Sequence, residues 1–406
     1  MKILIVTQYF WPENFRINDL ALGLKQRGHE ITVLTGIPNY PEGKFFRGYG
    51  FLGPRRENYN GINIIRVPIL PRGKSKGYNL ALNYFSYAFF ASLLGYIQCR
   101  GDFDLIFVAQ YSPFTVGIPA VFLKWLKKVP IMFWIQDLWP ESLSATNAIR
   151  SRILLRCVEK LVRLIYRHCD RILVQSKRFI QSIGNMGVNE DRIYYLPNWA
   201  GESQERAERE VTKQALPQGF RLIFAGNIGA AQDFETIIAA MEKIKEYPDI
   251  HLVVLGEGRL FARVKEEIKS KSLENNVHLL GRRPLSEMPD YFAQADAMLV
   301  TLKAEPIFTL TVPTKVQSYL ASGKPIVAAL EGEGANIIRE AGAGLTCACS
   351  NAEALSEIIL EMYNKPKNER QLMGQKGYQY YKNNFEYNML MDRVNNWVED
   401  FRRKDR

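Results

Sequence analysis

The sequence predicts an α/β protein of two Rossmann-like domains facing a cleft. Three observations carry this. The chain opens on a strand–loop–helix–strand unit over residues 2–35, and a second series of strands followed by glycine turns begins at residue 221. At 406 residues, 47% hydrophobic and 23% charged, the chain is long enough for two cores and has the composition of a globular protein.

The elements follow in order. Residues 2–6 form a strand, TQYFWPENF a loop, and Ile17, Leu20, Ala21 and Leu24 the apolar face of a helix that starts at Arg16 and stops at Gly28. Residues 30–35 are the second strand. Trp11, Pro12 and Glu13 stand where a dinucleotide site needs GxGxxG, which argues against NAD or FAD. Arg16 projects from a helix start toward the carboxyl edge of the sheet, either as a phosphate contact or as a surface arginine.

Residues 38–71 read as loop-rich and basic (Lys44, Arg47, Arg55, Arg56), interrupted by one strand at 62–67. Residues 78–98 are long enough to span a bilayer. Asn79, Asn83, Ser86, Ser92 and Gln98, with basic residues at both ends, favour an interfacial or core helix instead. Residues 105–109 and 131–135 are buried strands flanking PAVFLKWLKKV, a basic amphipathic helix. Residues 150–171 form another, with Leu154, Val158, Leu161 and Ile165 on one face. QDLWPES follows the strand at 131–135. There Gln136 is a candidate hydrogen-bond donor. Asp137 is a general base or charge stabiliser, or else the cap of the next turn. Strands at 172–175 and 192–196 lead to Pro197, Asn198 and Trp199.

Residues 201–219, charged and poor in apolar side chains, read as a linker. Beyond it, strand 221–225 runs into Gly226, Asn227, Ile228 and Gly229, a turn that lets backbone approach a ligand. Strands 252–255 and 277–280 end likewise, in Gly256-Glu257-Gly258 and Gly281-Arg282, so the loops line one crevice. A buried strand at 297–302 precedes a short helix opened by Pro313 and Thr314 and closed by Gly323 and Pro325. Lys315 therefore lies in a helix's first turn, beside free N–H groups and the positive end of its dipole. It suits a diphosphate there, or is simply solvated. Residues 353–406 read as helical.

The net charge of +11 favours an acidic partner. Its basic residues lie on apolar-faced helices and loops of one domain, without a nucleic-acid motif, which argues against nucleic acid. Cys99, Cys157, Cys169, Cys347 and Cys349 form no CxxC pair and read as reduced thiols of a cytoplasmic protein. Met1-Lys2 leads straight into a strand with no signal peptide, which disfavours an exported two-lobed binding protein.

YFWPEN, RGHEITVLT, IQDLWPES, PNW, AGNIG, LGEG and PTKVQSYLASGKPIV together resemble the GT-B glycosyltransferases of family 4 over nearly the whole chain. Within that family the chain is similar to bacterial transferases that build O-antigen or capsule repeat units, notably N-acetyl-L-fucosamine transferases. The resemblance implies a UDP-sugar donor held by residues 201–384 and an acceptor held by residues 1–200, with a helix over 385–406 packing back on the first domain. It also implies net retention at the anomeric carbon, with no cofactor and no metal.

Carried onto this sequence, the catalytic candidates are Asp137, Glu305, Lys315 and Arg16. Donor contacts fall on Gly226, Asn227, Ile228, Gly229, Gly256, Arg282, Glu305, Thr314, Lys315 and Ser318. Pro12, Glu13, Asn14, Gln136 and Asn198 lie on the acceptor side. The chain departs from the family at Gln136, where many members have histidine. Asn227 and Gln232 replace an arginine and a lysine, and Ser318 replaces the second of a glutamate pair whose first is Glu305. Diphosphate charge then falls to Lys315, Arg16 and backbone N–H groups, such as those of GNIG.

The expected partners are the nucleotide-sugar and an undecaprenyl-diphosphate-linked saccharide. The expected place is the cytoplasmic, inner face of the plasma membrane, held by its anionic surface. A sugar-nucleotide 2-epimerase shares the architecture; it would release its product into water and has less need of basic amphipathic helices.

Overall fold

The computed structural model describes residues 1–73, 77–145, 151–201 and 216–404. It divides into one unit of Met1–Pro197 with Asn388–Arg406, and a second of Asn198–Tyr387.

The first unit is built on an eight-stranded sheet. Its strands are β1 (Lys2–Thr7), β2 (Glu30–Gly36), β3 (Arg56–Tyr59), β4 (Ile62–Val67), β5 (Leu105–Gln110), β6 (Ile131–Ile135), β7 (Arg171–Val174) and β8 (Ile193–Tyr195). Their order is β3-β4-β2-β1-β5-β6-β7-β8, parallel except for β3. Ile5 faces Val33 on one side and Phe107 on the other. Ile3, Leu4, Ile5 and Val6 are all fully buried, as expected of a parallel strand covered on both faces. The chain reverses its direction across the sheet at β1 and β5, so a crevice opens beyond their carboxyl ends.

Strand β3 lies in the stretch read as loop. Asn60 and Gly61, both at positive φ, make the two-residue turn of a β3–β4 hairpin. Tyr49 Oη donates to Glu57 at 2.9 Å, and Glu57 is ion-paired with the fully buried Arg66. RENY has no apolar run, so these polar contacts hold the strand in place of a hydrophobic pattern.

The helix expected over 150–171 covers Arg152–Arg167 and buries Val162, Ile165 and Tyr166, while Leu154 is exposed. Arg150, where that helix was expected to start, lies outside the described residues. Arg171 is not on the helix. It begins β7, is buried, and donates through Nη1 to Trp397 O at 2.6 Å. The RILV run buries better as a two-sided strand than as a further turn of an amphipathic helix.

Helix Gly77–Gln98 turns Asn83, Tyr87, Ala88, Ala91 and Gly95 inward. The Tyr87 hydroxyl lies 3.0 Å from Thr7 O and 3.1 Å from Leu34 O. A Cβ on Gly95 would come within 2.7 Å of Leu34, so glycine there lets the helix close on the sheet. The opposite face exposes Tyr78, Leu82, Phe85, Phe89, Leu93 and Tyr96, which recur at helical spacing. The helix is long and apolar enough to cross a membrane by length and composition, yet its inner face belongs to the core of this unit.

Helix Tyr387–Lys404 packs on the first unit. Arg27 Nε donates to Asp392 at 2.8 Å, His29 Nε2 lies 2.8 Å from Asn395 Oδ1, and Leu390, Met391, Val394 and Val398 are fully buried.

The second unit has six parallel strands: β9 (Phe220–Ala225), β10 (Ile250–Leu255), β11 (Val277–Gly281), β12 (Ala297–Thr301), β13 (Ile326–Ala329) and β14 (Gly344–Cys347). Their order is β11-β10-β9-β12-β13-β14. Alternate residues feed two cores. Ile223, Val253, Met298 and Ile326 enter one, and Leu222, Leu252, Leu299 and Val327 the other. The direction of winding switches between β9 and β12, which places the ligand crevice at their carboxyl ends. Of the expected linker, residues 202–215 lie outside the described residues, and Leu216 is buried in the first of these cores.

Candidate functional site

A cavity of about 710 Å³ opens in the second unit where β9, β10 and β11 end. Gly226, Asn227, Gly256, Arg282, Thr314, Lys315 and Ser318, all expected from the sequence, line it. Gly226 has φ 147°, and a Cβ there would lie 2.4 Å from Lys315 Cε. A Cβ on Gly256 would sit 1.9 Å from Gly226 O, and one on Gly258 2.3 Å from Ile228 O. Glycine at these positions lets the GNIG and LGEG loops pack main chain on main chain and lets Lys315 lie across the turn.

Lys315 stands in the first turn of helix Thr314–Ala321, whose N-cap Pro313 provides no side-chain acceptor. Val316 N donates to Pro313 O at 2.8 Å, which leaves the Thr314 and Lys315 amides for a ligand. Its Nζ is buried, lacks a hydrogen-bond partner, and sits 3.7 Å from the centroid of the Phe224 ring. Desolvation lowers its pKa to about 7. Gln232 Oε1 and Arg283 Nε, in the same cavity wall, are also buried without partners. Lys315 Nζ and Arg283 Nε are donors that an anion would satisfy, and Gln232 Oε1 is an acceptor for a ligand N–H or hydroxyl.

Three expected donor residues are not on this wall. Ile228 is fully buried in the core. The alternating need of the loop to bury one side chain and turn on glycines explains its inward position. Glu305 precedes helix Pro306–Leu310, and its backbone N–H and C=O serve a local turn with Lys303 and Phe308. Gly229 lies against the Asn227 side chain, 2.5 Å from where its Cβ would be. The backbone expectation also narrows. Gly226 N donates to Leu255 O and Ile228 N to Glu257 O, so two GNIG amides are consumed by the fold.

Sequence reasoning passed over Tyr319 and Arg283, and noted Gln232 only as a replaced lysine. The Tyr319 hydroxyl accepts from Ala225 N at 2.9 Å and lies 3.3 Å from Ala225 O, tying the lysine's helix to the end of β9. Its place one turn after Lys315 was the available signal.

In the first unit, the acceptor-side candidates lie after β1 and β6. Pro12 follows a cis peptide bond, and Asn14 is exposed. Glu13 is buried. Its Oε1 accepts from Asn39 N and Tyr40 N, each at 2.8 Å, while Oε2 has no partner. Desolvation raises its pKa to about 7 despite those bonds. One oxygen of Glu13 thus holds the 39–40 backbone, a structural duty absent from the sequence reading. Arg16 pairs with Asp19 at 3.3 Å on the helix surface.

Gln136 is buried, and its carbonyl accepts from Gln175 Nε2 at 3.2 Å. Asp137 is held by its carbonyl, which accepts from Gln110 Nε2 at 2.7 Å. Its carboxylate has no partner among the described residues, and desolvation raises its pKa to about 7. A turn-capping bond from that carboxylate is not made. Asn198 begins the second unit and is buried. Arg72, one of the basic residues ahead of the 78–98 segment, reaches Tyr9 Oη at 3.2 Å and stacks over Tyr40 at 5.0 Å. Lys74 and Lys76 lie outside the described residues. Among the described residues, no group of three or more His, Cys, Asp or Glu could hold a metal ion.

Two family models tile the chain: a glycosyl transferase 4-like domain over residues 14–199, and glycosyl transferases group 1 over residues 207–380. The chain belongs to the group 1, GT4-like glycosyltransferases. The glycosyltransferase is 30% identical over 275 residues to a Pseudomonas aeruginosa protein named as a glycosyltransferase, WbjE, covering 65% of this chain and 66% of that one. It is 24% identical over 339 residues to WcaI of Escherichia coli K12, named for glycosyl transfer in colanic acid biosynthesis, covering 80% of this chain and 82% of that one. Among solved structures, Anabaena Alr3699/HepE in complex with UDP aligns at TM-score 0.70 and 13% identity over 98% of this chain and all of that one. The fold of the glycosyltransferase is GT-B. The match to transferases over both halves favours sugar transfer over the epimerase reading.

Proposed function

We propose that this glycosyltransferase moves a sugar, N-acetyl-L-fucosamine, from a UDP-sugar to an undecaprenyl-diphosphate-linked saccharide in O-antigen or capsule assembly, with retention. The observation that carries the donor half is Lys315, buried without a partner in a glycine-walled cavity at a topological switch point. The UDP complex of the Anabaena protein and the polysaccharide role in the name of WcaI support the same reading.

As the bond from sugar to diphosphate breaks, negative charge grows on the leaving phosphate. Lys315 and the open amides of its helix stabilise that charge more in the transition state than in the ground state. Once a phosphate sits against Nζ, the ammonium form is favoured and the lysine takes up a proton. Asp137, held near neutrality by burial, orients the acceptor hydroxyl or offsets oxocarbenium-like charge. Cation and helix dipole together fill the role that a divalent metal has elsewhere, and turnover proceeds without one.

The lipid-linked acceptor places the enzyme on the inner face of the plasma membrane. The exposed apolar stripe of helix Gly77–Gln98, and Phe122, Trp125 and Leu126 on helix Gly117–Lys127, are the surfaces that would enter the interface.

The test is turnover of a panel of UDP-sugars with and without a lipid-diphosphate saccharide, in buffer containing EDTA. Acceptor-dependent release of UDP is expected, with a glycosidic product whose anomeric configuration matches that of the donor. Donor conversion without acceptor would instead indicate an epimerase. Loss of turnover in EDTA, restored by Mg²⁺, would remove the metal-free mechanism.

A further inference from the structure

A second cavity, of about 840 Å³, lies in the first unit at the opposite, amino-terminal edge of its sheet, where β6, β7 and β8 begin. It is lined by Lys124, Lys128, Arg167, Arg171 and Arg192, with Trp125 at its side. Some of this charge is spent within the fold. Lys124 pairs with Asp170 at 2.6 Å, and Arg171 lies 3.4 Å from Asp400. Among the described residues, Lys128, Arg167 and Arg192 have no carboxylate partner, and the only lining acid outside an ion pair is Asp191. Arg192 gives Nη2 to Cys169 O, while its Nε is buried without a partner. The cavity is therefore cationic in excess and contains an orphaned guanidinium donor, the donor set that a phosphate accepts from.

Two of these three cations, Lys128 and Arg167, stand at the C-terminal ends of helices that also carry exposed apolar side chains. Lys128 caps helix Gly117–Lys127, which exposes Phe122, Trp125 and Leu126. Arg167 ends helix Arg152–Arg167, which exposes Ile153, Leu154 and Leu164. An apolar surface with a cationic pocket at its edge matches the two parts of a phospholipid, acyl chain and phosphate. We propose that this cavity binds the phosphate of an anionic phospholipid headgroup when the neighbouring helices lie in the membrane interface. The proposal rests on the membrane reading above and adds a discrete headgroup site to it.

The test uses the full chain and phosphatidylcholine vesicles with or without phosphatidylglycerol. Lys128→Asn with Arg167→Gln removes the two exposed pocket cations; asparagine tolerates the left-handed backbone of residue 128, at φ 56°. Arg156→Gln with Lys160→Gln removes two exposed cations of the same helix that do not line the cavity. The wild type should prefer phosphatidylglycerol vesicles, and the pocket variant should lose about tenfold or more of that preference, at roughly 1 kcal/mol per cation. The control variant should lose clearly less. Equal losses in both variants would overturn the headgroup site and leave general surface charge, with the membrane reading intact. Failure of the wild type to bind either vesicle would sink the membrane reading itself. A soluble arm separates the ligand's source. Glycerol phosphate that raises the Tm of the wild type and not of the pocket variant, without vesicle preference, would overturn the lipid and leave a free phosphate ester as ligand.

Discussion

Lys315 and Asp137 are both poised near neutrality by burial, and from opposite directions. Asp137 has its pKa raised to about 7 and loses its charge below that; Lys315 has its pKa lowered to about 7 and loses its charge above it. If both act in the free enzyme, kcat/KM peaks near neutral pH and falls on each side. Asp137→Asn should remove the acid limb along with most of the activity, and a flat acid limb in the wild type would exclude Asp137. Glu13 makes a stability prediction. Its pKa is raised from 4.5 to about 7, so its stability contribution is complete below that ordinary value and is lost as pH rises from there to about 7. Glu13→Gln keeps an oxygen for the Asn39 and Tyr40 amides and removes the buried charge. Its Tm should match the wild type near pH ~4 and exceed it near pH ~8; equal values at both would show that the ionised carboxylate is not costly. At this scale, Gly226 and Lys315 were legible because glycine turns and helix starts have local signatures. Tyr319, Arg283 and the orphaned Gln232 were not, because their meaning lies in which strand end or cavity they meet.

Helix Gly77–Gln98 shows what periodicity does and does not disclose. The sequence is apolar on nearly every side, so a single face could not be picked from the pattern. The structure resolves it into an inner face around Tyr87 and an outer stripe from Tyr78 to Tyr96. If the stripe enters the interface, Leu82→Ser with Phe89→Ser should weaken vesicle binding at least about tenfold, since burying each such side chain is worth ~1.5–3 kcal/mol. Flotation with anionic vesicles checks this. Unchanged flotation would assign the stripe no part in membrane contact. Strand β3 failed to register for the contrary reason. RENY carries no apolar alternation, and its one clear signal was the Asn60-Gly61 turn. The long apolar strands β1, β5 and β6 were readable because a two-sided parallel strand is a continuous hydrophobic run.

For the whole molecule, the sequence displayed two successive winding patterns, and the structure has two sheets with a switch point in each. Helix Tyr387–Lys404 belongs almost wholly to the first unit although it ends the chain. That assignment depends on contacts more than three hundred residues apart, such as Arg27 with Asp392, which no local pattern contains. Deleting residues 388–406 would strip four fully buried aliphatic side chains from the first unit. Calorimetry should then show that unit's transition lowered while the transition raised by UDP stays in place. A fall in both would mean that the two unfold as one. Binding of the donor diphosphate by the second unit through Lys315 is decided by calorimetric titration of UDP into the wild type and Lys315→Met. The variant should bind at least about tenfold more weakly with no loss of Tm, and the wild type should take up a proton on binding above pH ~7. Equal affinity of the two proteins, with no proton uptake, would contradict it.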